Sequence, residues 1–318
     1  METDNKYSVL SFFCGCGGLD LGFRGGFDYK GEHYQELPFE IKEAYDFNDP
    51  CIETYNKYFG GHGYQKDLTQ VKPEEFIGTD ILIGGFPCQE FSSCGPLGGL
   101  DSDRGQLYKV MVNYMKVHKP KVVVGENVIN LLRMEDGEVI KKIVSDLIEV
   151  GYRVEVWNLY APDYGIPQKR NRLFFICVRN DLEGFPVKPE PMFKGNYRSI
   201  EWAIGDLEKV TDESVANQSQ YFRASKAKRG NGQGDEKNAK DQPAYTIRAN
   251  PKSRVQFHYS LDRRLTVREC ARIQTFPDDF TFSHSMTTSM SQIGNAVPPV
   301  LGHIVASTVA DYLKTLGG

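Results

Sequence analysis

Short apolar runs that end in glycine or in a polar loop recur through the first 180 residues, and they predict buried strands. Four such runs cover residues 7–13, 39–45, 80–83 and 121–125, and a weaker extended piece covers 63–66. Helical or glycine-rich stretches separate them, which is the order expected of an open α/β sheet with parallel strands. Two further runs, 153–159 and 172–178, predict a pair of alternating strands at the far side of the sheet.

The pattern changes after about residue 180. Pro186, Pro189 and Pro191 interrupt any periodicity, and residues 227–242 are polar, charged and rich in glycine. This region predicts a second, smaller and irregular domain that consists largely of loops. Further on, Thr266 and Glu269 have the spacing of a capping box at the start of a helix. A last amphipathic helix is predicted from Val300 to Leu316.

A glycine-rich turn follows the first predicted strand and leads into a helical pattern. Strand, glycine turn and helix in this order are typical of a nucleotide-binding unit, because glycine lets the backbone approach a ligand and the helix start offers free amide donors. Asp46 ends the second strand, where a carboxylate could bind ribose hydroxyls. Asp67 follows the weaker extended piece and could accept a hydrogen bond from an adenine amino group. Both carboxylates could instead cap helices.

A single cysteine, Cys88, follows the run 80–83 and the two glycines after it. Ligands of open α/β sheets bind at this carboxyl edge, so the thiol is placed to act as a nucleophile. The small and polar residues after Cys88 suit a loop that closes over a substrate. The alternative is a half-buried structural cysteine.

Glu126 ends the strand that starts at residue 121, beside the predicted position of Cys88. A partly desolvated carboxyl there would have a raised pKa, which suits a proton donor, although Glu126 could also cap the helix predicted from Val128 to Met134. The turn between the last two strands carries Lys169, Arg170 and Arg172. Its arginines could hold a phosphate or a base.

The charge of the chain is unevenly distributed. The 318 residues carry a net charge of −4 with a pI near 5.9, which by itself argues against a nucleic-acid partner. Residues 221–272, however, contain thirteen basic and five acidic residues, a net charge of +8, so the rest of the chain carries −12. One basic face on an acidic body is what contact with phosphates requires, and the alternative is an ordinary solvated surface.

Other classes of protein fit the composition less well. Seven scattered cysteines favour free thiols in a reducing compartment over a disulfide framework. Cys14 and Cys16 lack a second pair at the spacing of zinc ligands, so we predict no metal. No apolar run approaches the length that spans a membrane, and the polar first residues precede no signal-peptide core. We therefore expect a cytoplasmic protein without a membrane partner.

Taken together, the motifs resemble those of the C5-cytosine DNA methyltransferases of bacterial restriction-modification systems, over nearly the whole chain. In order, they are Phe13-x-Gly15-x-Gly17-Gly18, Asp46, Asp67, Gly85-Phe86-Pro87-Cys88-Gln89, Arg104-Gly105-x-Leu107, Glu126-Asn127-Val128, Gln168-x-Arg170-x-Arg172, Arg264-Leu265-Thr266-x-Arg268-Glu269 and Gly294-Asn295-Ala296-Val297-Pro298-Pro299. So many motifs in one order make coincidence a poor explanation. Asp46 departs from the longer glutamate that is common in this family.

The resemblance implies a role for each matching position. Cys88 would be the nucleophile that adds to C6 of cytosine, Glu126 would bind and protonate N3, and Arg172, supported by Arg170 and Gln168, would contact the base or sugar. The residues that would line a pocket for S-adenosyl-L-methionine are Phe13, Gly15, Gly17, Gly18, Asp46, Phe47, Asp67, Leu68, Gly85, Pro87, Leu107 and Asn295. The predicted DNA contacts are Gln89, Ser92, Arg104, Arg223, Lys226, Lys228, Arg229, Arg248, Lys252 and Arg254.

The resemblance also implies an architecture and partners. We expect a Rossmann-like methyltransferase sheet in a catalytic domain of residues 1–180, a target-recognition domain of residues 181–285, and a segment of residues 286–318 that returns to the catalytic domain. Double-stranded DNA would bind between the lobes of a monomer, with a target base flipped out of the duplex. A restriction endonuclease would be a genetic rather than a physical partner.

Three other functions compete with this interpretation. An RNA methyltransferase of the same superfamily would use the same chemistry, but the Cys-Phe-Thr signature of its transfer-RNA branch is absent from the sequence. A catalytically silent DNA-binding subunit would be free to lose Cys88, Glu126 and Arg172, which are all present. A nicotinamide dehydrogenase would need a complete glycine fingerprint and a second dinucleotide half.

Overall fold

Seven strands form the central sheet of this computed structural model, which describes residues 6–86, 107–222, 236–249 and 257–316. The strands in chain order are β1 (Tyr7–Phe12), β2 (Phe27–Tyr29), β3 (Glu32–Tyr34), β4 (Phe39–Asp46), β5 (Gly63–Gln65), β6 (Ile81–Gly84), β7 (Val122–Val128), β8 (Tyr152–Tyr160) and β9 (Asn171–Arg179). The order across the sheet is β5-β4-β1-β6-β7-β9-β8, while β2 and β3 form a separate hairpin. The first five strands of that order are parallel and β9 is antiparallel to both neighbours, which confirms the predicted α/β class.

The pair β8 and β9 shows one difference from the sequence-based prediction. β8 is the edge strand and alternates between buried and more exposed side chains, as predicted. β9 does not alternate, because it lies between β7 and β8 and residues 173–178 are buried on both faces. The expectation of alternation was therefore wrong for β9.

Helices cover both faces of the sheet. They are α1 (Gly18–Arg24), α2 (Asp49–Phe59), α3 (Tyr108–His118), α4 (Glu138–Glu149), α5 (Ile200–Ile204), α6 (Ser219–Phe222), α7 (Val267–Ile273), α8 (Met286–Asn295) and α9 (Pro299–Thr315). Successive side chains of β6 point to opposite hydrophobic clusters: Ile81 and Ile83 join the cluster of α1 and α9, and Leu82 joins that of α3 and α4. The period of two along a strand thus divides the core into two layers.

Helix α9 packs closely on α1. A Cβ atom on Gly22 would lie 2.5 Å from the carbonyl carbon of Gly302, so the two helices approach to a distance that only glycine permits. Helix α9 therefore lies directly against α1, the helix that follows the glycine-rich turn.

The segments beyond residue 180 share the core of the sheet. Ile200, Leu265 and Phe276 are fully buried in the same hydrophobic cluster as Val9. Thr266 caps α7 as predicted, because its hydroxyl accepts from the amide of Glu269 and the Glu269 carboxylate accepts from the amide of Thr266. The domain boundaries near residues 180 and 285 stay a prediction.

The stretch Met286–Thr315, which comprises α8 and α9, is long and apolar enough to cross a membrane by composition. However, 72% of its most apolar part is buried inside the protein. It is therefore a pair of core helices, and it gives no support to a membrane protein.

Candidate active site and cofactor site

The carboxyl ends of β6 and β7 lie side by side and form the centre of the candidate active site. Gly84 pairs with Gly125, and the side-chain amide of Asn127 donates to the carbonyl oxygen of Phe86 at 3.1 Å. A Cβ atom on Gly85 would lie 3.2 Å from Glu126 Oε2, so the glycine leaves room for the carboxyl group. Cys88 lies outside the described residues, but β6 ends at Gly84 and the residue after it, Gly85, lies next to Glu126.

Glu126 forms a buried ion pair with Arg172. Its Oε1 atom is 2.7 Å from Arg172 Nε, and about a tenth of each side chain is exposed. The antiparallel register explains the contact, because Val128 of β7 lies opposite Arg172 at the start of β9. Burial raises the pKa of Glu126 above its ordinary value, while the charges of Arg172 and then Arg170 oppose that shift. The Glu126 carboxyl therefore keeps its proton more readily than a carboxyl in water does.

Glu126 is not a helix cap. The 3-10 helix Ile129–Gly137 begins after Val128, and no side chain caps it. The alternative assignment of Glu126 as a cap, which the sequence left open, was therefore wrong.

Arg170, two residues before Arg172, binds backbone carbonyls instead of this carboxyl. Its guanidinium is 1% exposed and donates to the carbonyl oxygens of Ile247 at 3.2 Å, Gly294 at 3.1 Å and Ala296 at 2.8 Å. These contacts tie the turn before β9 to two distant segments of the chain. Arg170 therefore acts on the structure around the site rather than at the carboxyl itself.

Gln168 joins the turn before β9 to the same part of the molecule as Arg170, and we call this set of contacts the junction. Its side-chain amide donates to Gln274 Oε1 and to the carbonyl oxygen of Ile273, and its own oxygen accepts from the amide of Ile247 at 2.9 Å. Gln274 in turn donates to the carbonyl oxygen of Ala296. Gln274 was missed by the sequence interpretation, because a glutamine at a helix end carries no signal of a contact more than a hundred residues away.

The candidate cofactor site lies where β1 and β4 end. The glycine turn starts at Phe13, which has a positive φ of 54°, and the amide of Gly15 donates to Asp46 Oδ2 at 2.9 Å. The other oxygen of Asp46 accepts from the amide of Asn48. No heavy atom lies within 4 Å of a Cβ built on Gly15, so the space above the turn is open. The turn thus offers room for a ligand beside a buried carboxylate.

Two further glycines of the turn are fixed by their neighbours. A Cβ on Gly17 would lie 2.4 Å from Phe59 Cε2, and one on Gly18 would lie 2.3 Å from the carbonyl oxygen of Val297. The turn is therefore packed between α2 and the segment that follows α8. This contact brings the predicted residue Asn295, which is exposed, to the neighbourhood of the turn.

The remaining predicted cofactor residues lie around the same edge. Phe47 follows β4 with 68% of its surface exposed, which leaves an aromatic face free for stacking. Asp67 caps a 3-10 helix, because its Oδ1 accepts from the amide and the hydroxyl of Thr69. Leu68 is buried, and Leu107 is half-buried at the start of α3. Asp67 thus has the cap role that was its alternative, and any contact with adenine would use its other oxygen.

Most predicted DNA contacts lie outside the described residues. These are Gln89, Ser92, Arg104, Arg223, Lys226, Lys228, Arg229, Lys252 and Arg254, together with Pro87 of the cofactor set. Arg248 is described and exposed, and its backbone packs on Gly294, where a Cβ atom would lie 2.3 Å from the Arg248 carbonyl carbon. The middle of the basic segment, at Arg248, therefore packs against the same residues that Arg170 holds.

Comparison with known proteins decides the family. The sequence profile of the C-5 cytosine-specific DNA methylase family matches residues 7–240 and 206–311. The chain belongs to this family. It is 34% identical to the Type II methyltransferase M.BspRI of Lysinibacillus sphaericus, over 98% of this chain and 84% of that protein. It is 31% identical to M.FnuDI of Fusobacterium nucleatum, over 96% of this chain and 94% of that protein.

Solved structures support the same fold. The Dnmt2 methyltransferase of S. pombe superposes with a TM-score of 0.68 at 18% identity, covering 98% of this chain and all of that one. At this identity the likeness concerns the fold alone. The family assignment itself makes this DNA cytosine-5 methyltransferase an enzyme that acts on DNA, as the sequence predicted.

Proposed function

We propose that this methyltransferase moves a methyl group from S-adenosyl-L-methionine to C5 of a cytosine that is flipped out of a short, specific duplex sequence. The observation that carries the proposal is the buried Glu126–Arg172 pair beside the strand end from which the chain runs to Cys88. C5 of cytosine is a poor nucleophile, so the reaction needs a group that adds to C6 and a proton donor for N3.

Cys88 is the group that adds to C6, and Glu126 is the proton donor for N3. A bond forms between Cys88 Sγ and C6 while N3 takes a proton from Glu126, and the ring becomes an enamine-like nucleophile at C5. After C5 has taken up the methyl group, loss of the C5 proton, expulsion of Cys88 as a thiolate and return of the N3 proton to Glu126 restore the aromatic ring. The raised pKa of Glu126 favours a proton on this carboxyl before the reaction, and Arg172 fixes its orientation.

The residues around the glycine turn fit an adenosine cofactor. Open space above Gly15, the carboxylate of Asp46 and the exposed ring of Phe47 provide room, a hydrogen-bond acceptor and a stacking face. When bound there, S-adenosyl-L-methionine supplies an electrophilic methyl group. Asp46 would hold the ribose hydroxyls, and Asn295 would border the methionine or adenosine portion.

The partner, the oligomeric state and the location of the enzyme belong to the same proposal. We infer that double-stranded DNA lies against the basic residues after 221 and that the enzyme works as a monomer in the bacterial cytoplasm. A restriction endonuclease encoded with it would be a genetic partner.

The first test is covalent trapping. Purified enzyme, S-adenosyl-L-methionine and a duplex library containing 5-fluorocytosine should yield a denaturant-stable protein–DNA adduct, since fluorine cannot leave as the C5 proton does. Cys88→Ser should form no adduct while its unfolding midpoint stays unchanged. Bisulfite sequencing of methylation-free genomic DNA should then show 5-methylcytosine in one short motif.

Two results would contradict the proposal. Full activity of Cys88→Ser would exclude the covalent mechanism. Unmodified DNA combined with methylated transfer RNA would move the substrate to RNA.

A further inference from the structure

A buried carboxylate that the proposed mechanism does not use lies behind the cofactor turn. Asp20, in the first turn of α1, has no exposed surface. Tyr55 of α2 donates to its Oδ1 at 3.1 Å, and the Ser11 hydroxyl of β1 faces the same carboxyl. Its Oδ2 atom has no hydrogen-bond partner within the described part of the chain. A buried anion with an unused oxygen is unusual enough to require a reason.

No cation neutralises this carboxylate among residues 6–86, 107–222, 236–249 and 257–316. Asp20 takes part in none of the ion pairs found there, and Arg24, the cation of its own helix, stacks over the rings of Tyr58 and Phe59. In contrast, Glu126, which is slightly less buried, has Arg172 as a partner. The negative charge of Asp20 is therefore available to act on whatever binds nearby.

Asp20 is coupled directly to the turn. The ring of Tyr55, whose hydroxyl it binds, lies 2.9 Å from a Cβ built on Gly17 and 2.7 Å from one built on Gly63. Asp46 bounds the turn on its other side through the amide of Gly15. Two buried carboxylates thus bracket the turn, and after burial itself they are the next two causes that raise the pKa of Cys14.

We propose that Asp20 places a negative charge behind the cofactor turn, which biases the site toward the cationic methyl donor over its neutral demethylated product. The inference rests on the proposed function, because it needs a sulfonium that becomes a thioether. The two ligands differ by one methyl group and one positive charge. Because a site shielded from bulk water has an effective dielectric constant well below that of water, one buried charge changes the affinity for a cation by on the order of tenfold. The bias would act on donor binding and product release rather than on methyl transfer.

Acidic pH should weaken the bias. Burial raises the pKa of Asp20 to about 6, so its charge is lost as the pH falls through that value. The other titratable or charged groups that face it or its partners are Cys14, Cys16, Asp46, Cys51, Tyr55, His62 and Arg24. Burial raises the pKa of both turn thiols and lowers that of His62, so these three groups are neutral near pH 7.

The test compares three ligands by calorimetry at pH 7.5. S-adenosyl-L-methionine and sinefungin carry a positive charge at the reacting position, and S-adenosyl-L-homocysteine carries none. Asp20→Asn should weaken binding of the two cations about tenfold and change that of the neutral ligand less than twofold. Tyr55→Phe is the matched control, since it removes the hydrogen bond and keeps the charge, and it should change all three affinities by the same factor.

The possible results separate this inference from the function on which it rests. An equal loss for all three ligands in Asp20→Asn would show a purely structural role and overturn the charge proposal, while the cofactor assignment would stand. Failure of the unaltered enzyme to bind any of the three would overturn both. If Asp20→Asn does not fold, the unaltered enzyme decides: its preference for the cations over the neutral ligand must fall between pH 7.5 and 5.5, and a constant preference would refute the proposal.

Discussion

Arg170 precedes β9 and Arg172 is the second residue of that strand, yet these two neighbouring and largely buried arginines serve different regions of the molecule. Arg172 meets the carboxylate of Glu126 at the candidate active site. Arg170 donates to three backbone carbonyl oxygens and so joins the segments around Ile247 and Gly294. One region holds the proposed proton donor in place, and the other holds together the parts of the chain that surround it. Substitutions should therefore affect chemistry in the first region and folding in the second.

The largest expected effect is at the proton donor. Glu126→Gln keeps the size of the side chain and removes the acid, so kcat should fall by about 10²- to 10⁴-fold. The free energy of unfolding should fall by about 1–3 kcal/mol, because the amide oxygen can still accept from Arg172 but no longer balances its charge. Single-turnover methyl transfer and urea unfolding measure the two quantities. A Glu126→Gln enzyme with normal kcat would remove Glu126 from the mechanism.

The second effect separates the two arginines. Arg170→Met leaves three buried carbonyl oxygens without their donor, so the free energy of unfolding should fall by about 3–5 kcal/mol. Arg172→Met should cost less stability, about 1–3 kcal/mol, because Glu126 can take up a proton and become neutral. Urea titration of both variants makes the comparison, and equal losses would mean that the two regions are not distinct.

The sequence supported one half of this comparison. The strand ends of residues 83 and 125 were enough to place Glu126 beside the chain that leads to Cys88, because parallel strands bring their carboxyl ends together. The contact between Glu126 and Arg172 was not predicted, since Arg172 lies at the start of an antiparallel strand. Nothing in the sequence distinguished the direction of Arg170 from that of Arg172. Their directions depend on the register of β9 and on the carbonyls of Ile247, Gly294 and Ala296, which only folding brings near.

The residues around the candidate cofactor site also include some that the sequence predicted and one that it did not. The glycine-rich turn, Asp46 and Phe47 were predicted because they belong to short motifs, and a short motif determines the geometry of its own residues. Asp20 was missed, since a charged residue in the first turn of a helix is usually read as a favourable surface charge. Its burial depends on β1, α2 and α9, which pack around α1 from distant parts of the chain. Residues with a short-range role were therefore predictable, and those with a long-range role were not.

A third prediction uses pH to measure the coupling between the regions. Glu126 has a raised pKa and must be protonated to act, so log kcat should fall as the pH rises through that pKa. Arg172 is the larger of the two charges that lower it. Arg172→Gln should therefore move the alkaline limb of the profile to higher pH, and Arg170→Gln should move it less. The reverse order would contradict the assignment of Arg172 as the direct partner.

The smallest expected effect is at Asn295, which lies between the two carbonyls that Arg170 holds. Because the carbonyl oxygens of Gly294 and Ala296 point inward to the guanidinium, the side chain between them is left exposed beside the cofactor turn. Asn295→Ala should weaken S-adenosyl-L-methionine binding by about three- to tenfold, the loss of one hydrogen bond. The unfolding midpoint and the affinity for duplex DNA should stay unchanged, and they serve as the controls in the same preparation. Unchanged cofactor affinity would show that the junction held by Arg170 positions backbone only, and a lowered midpoint would show that Asn295 belongs to the junction itself.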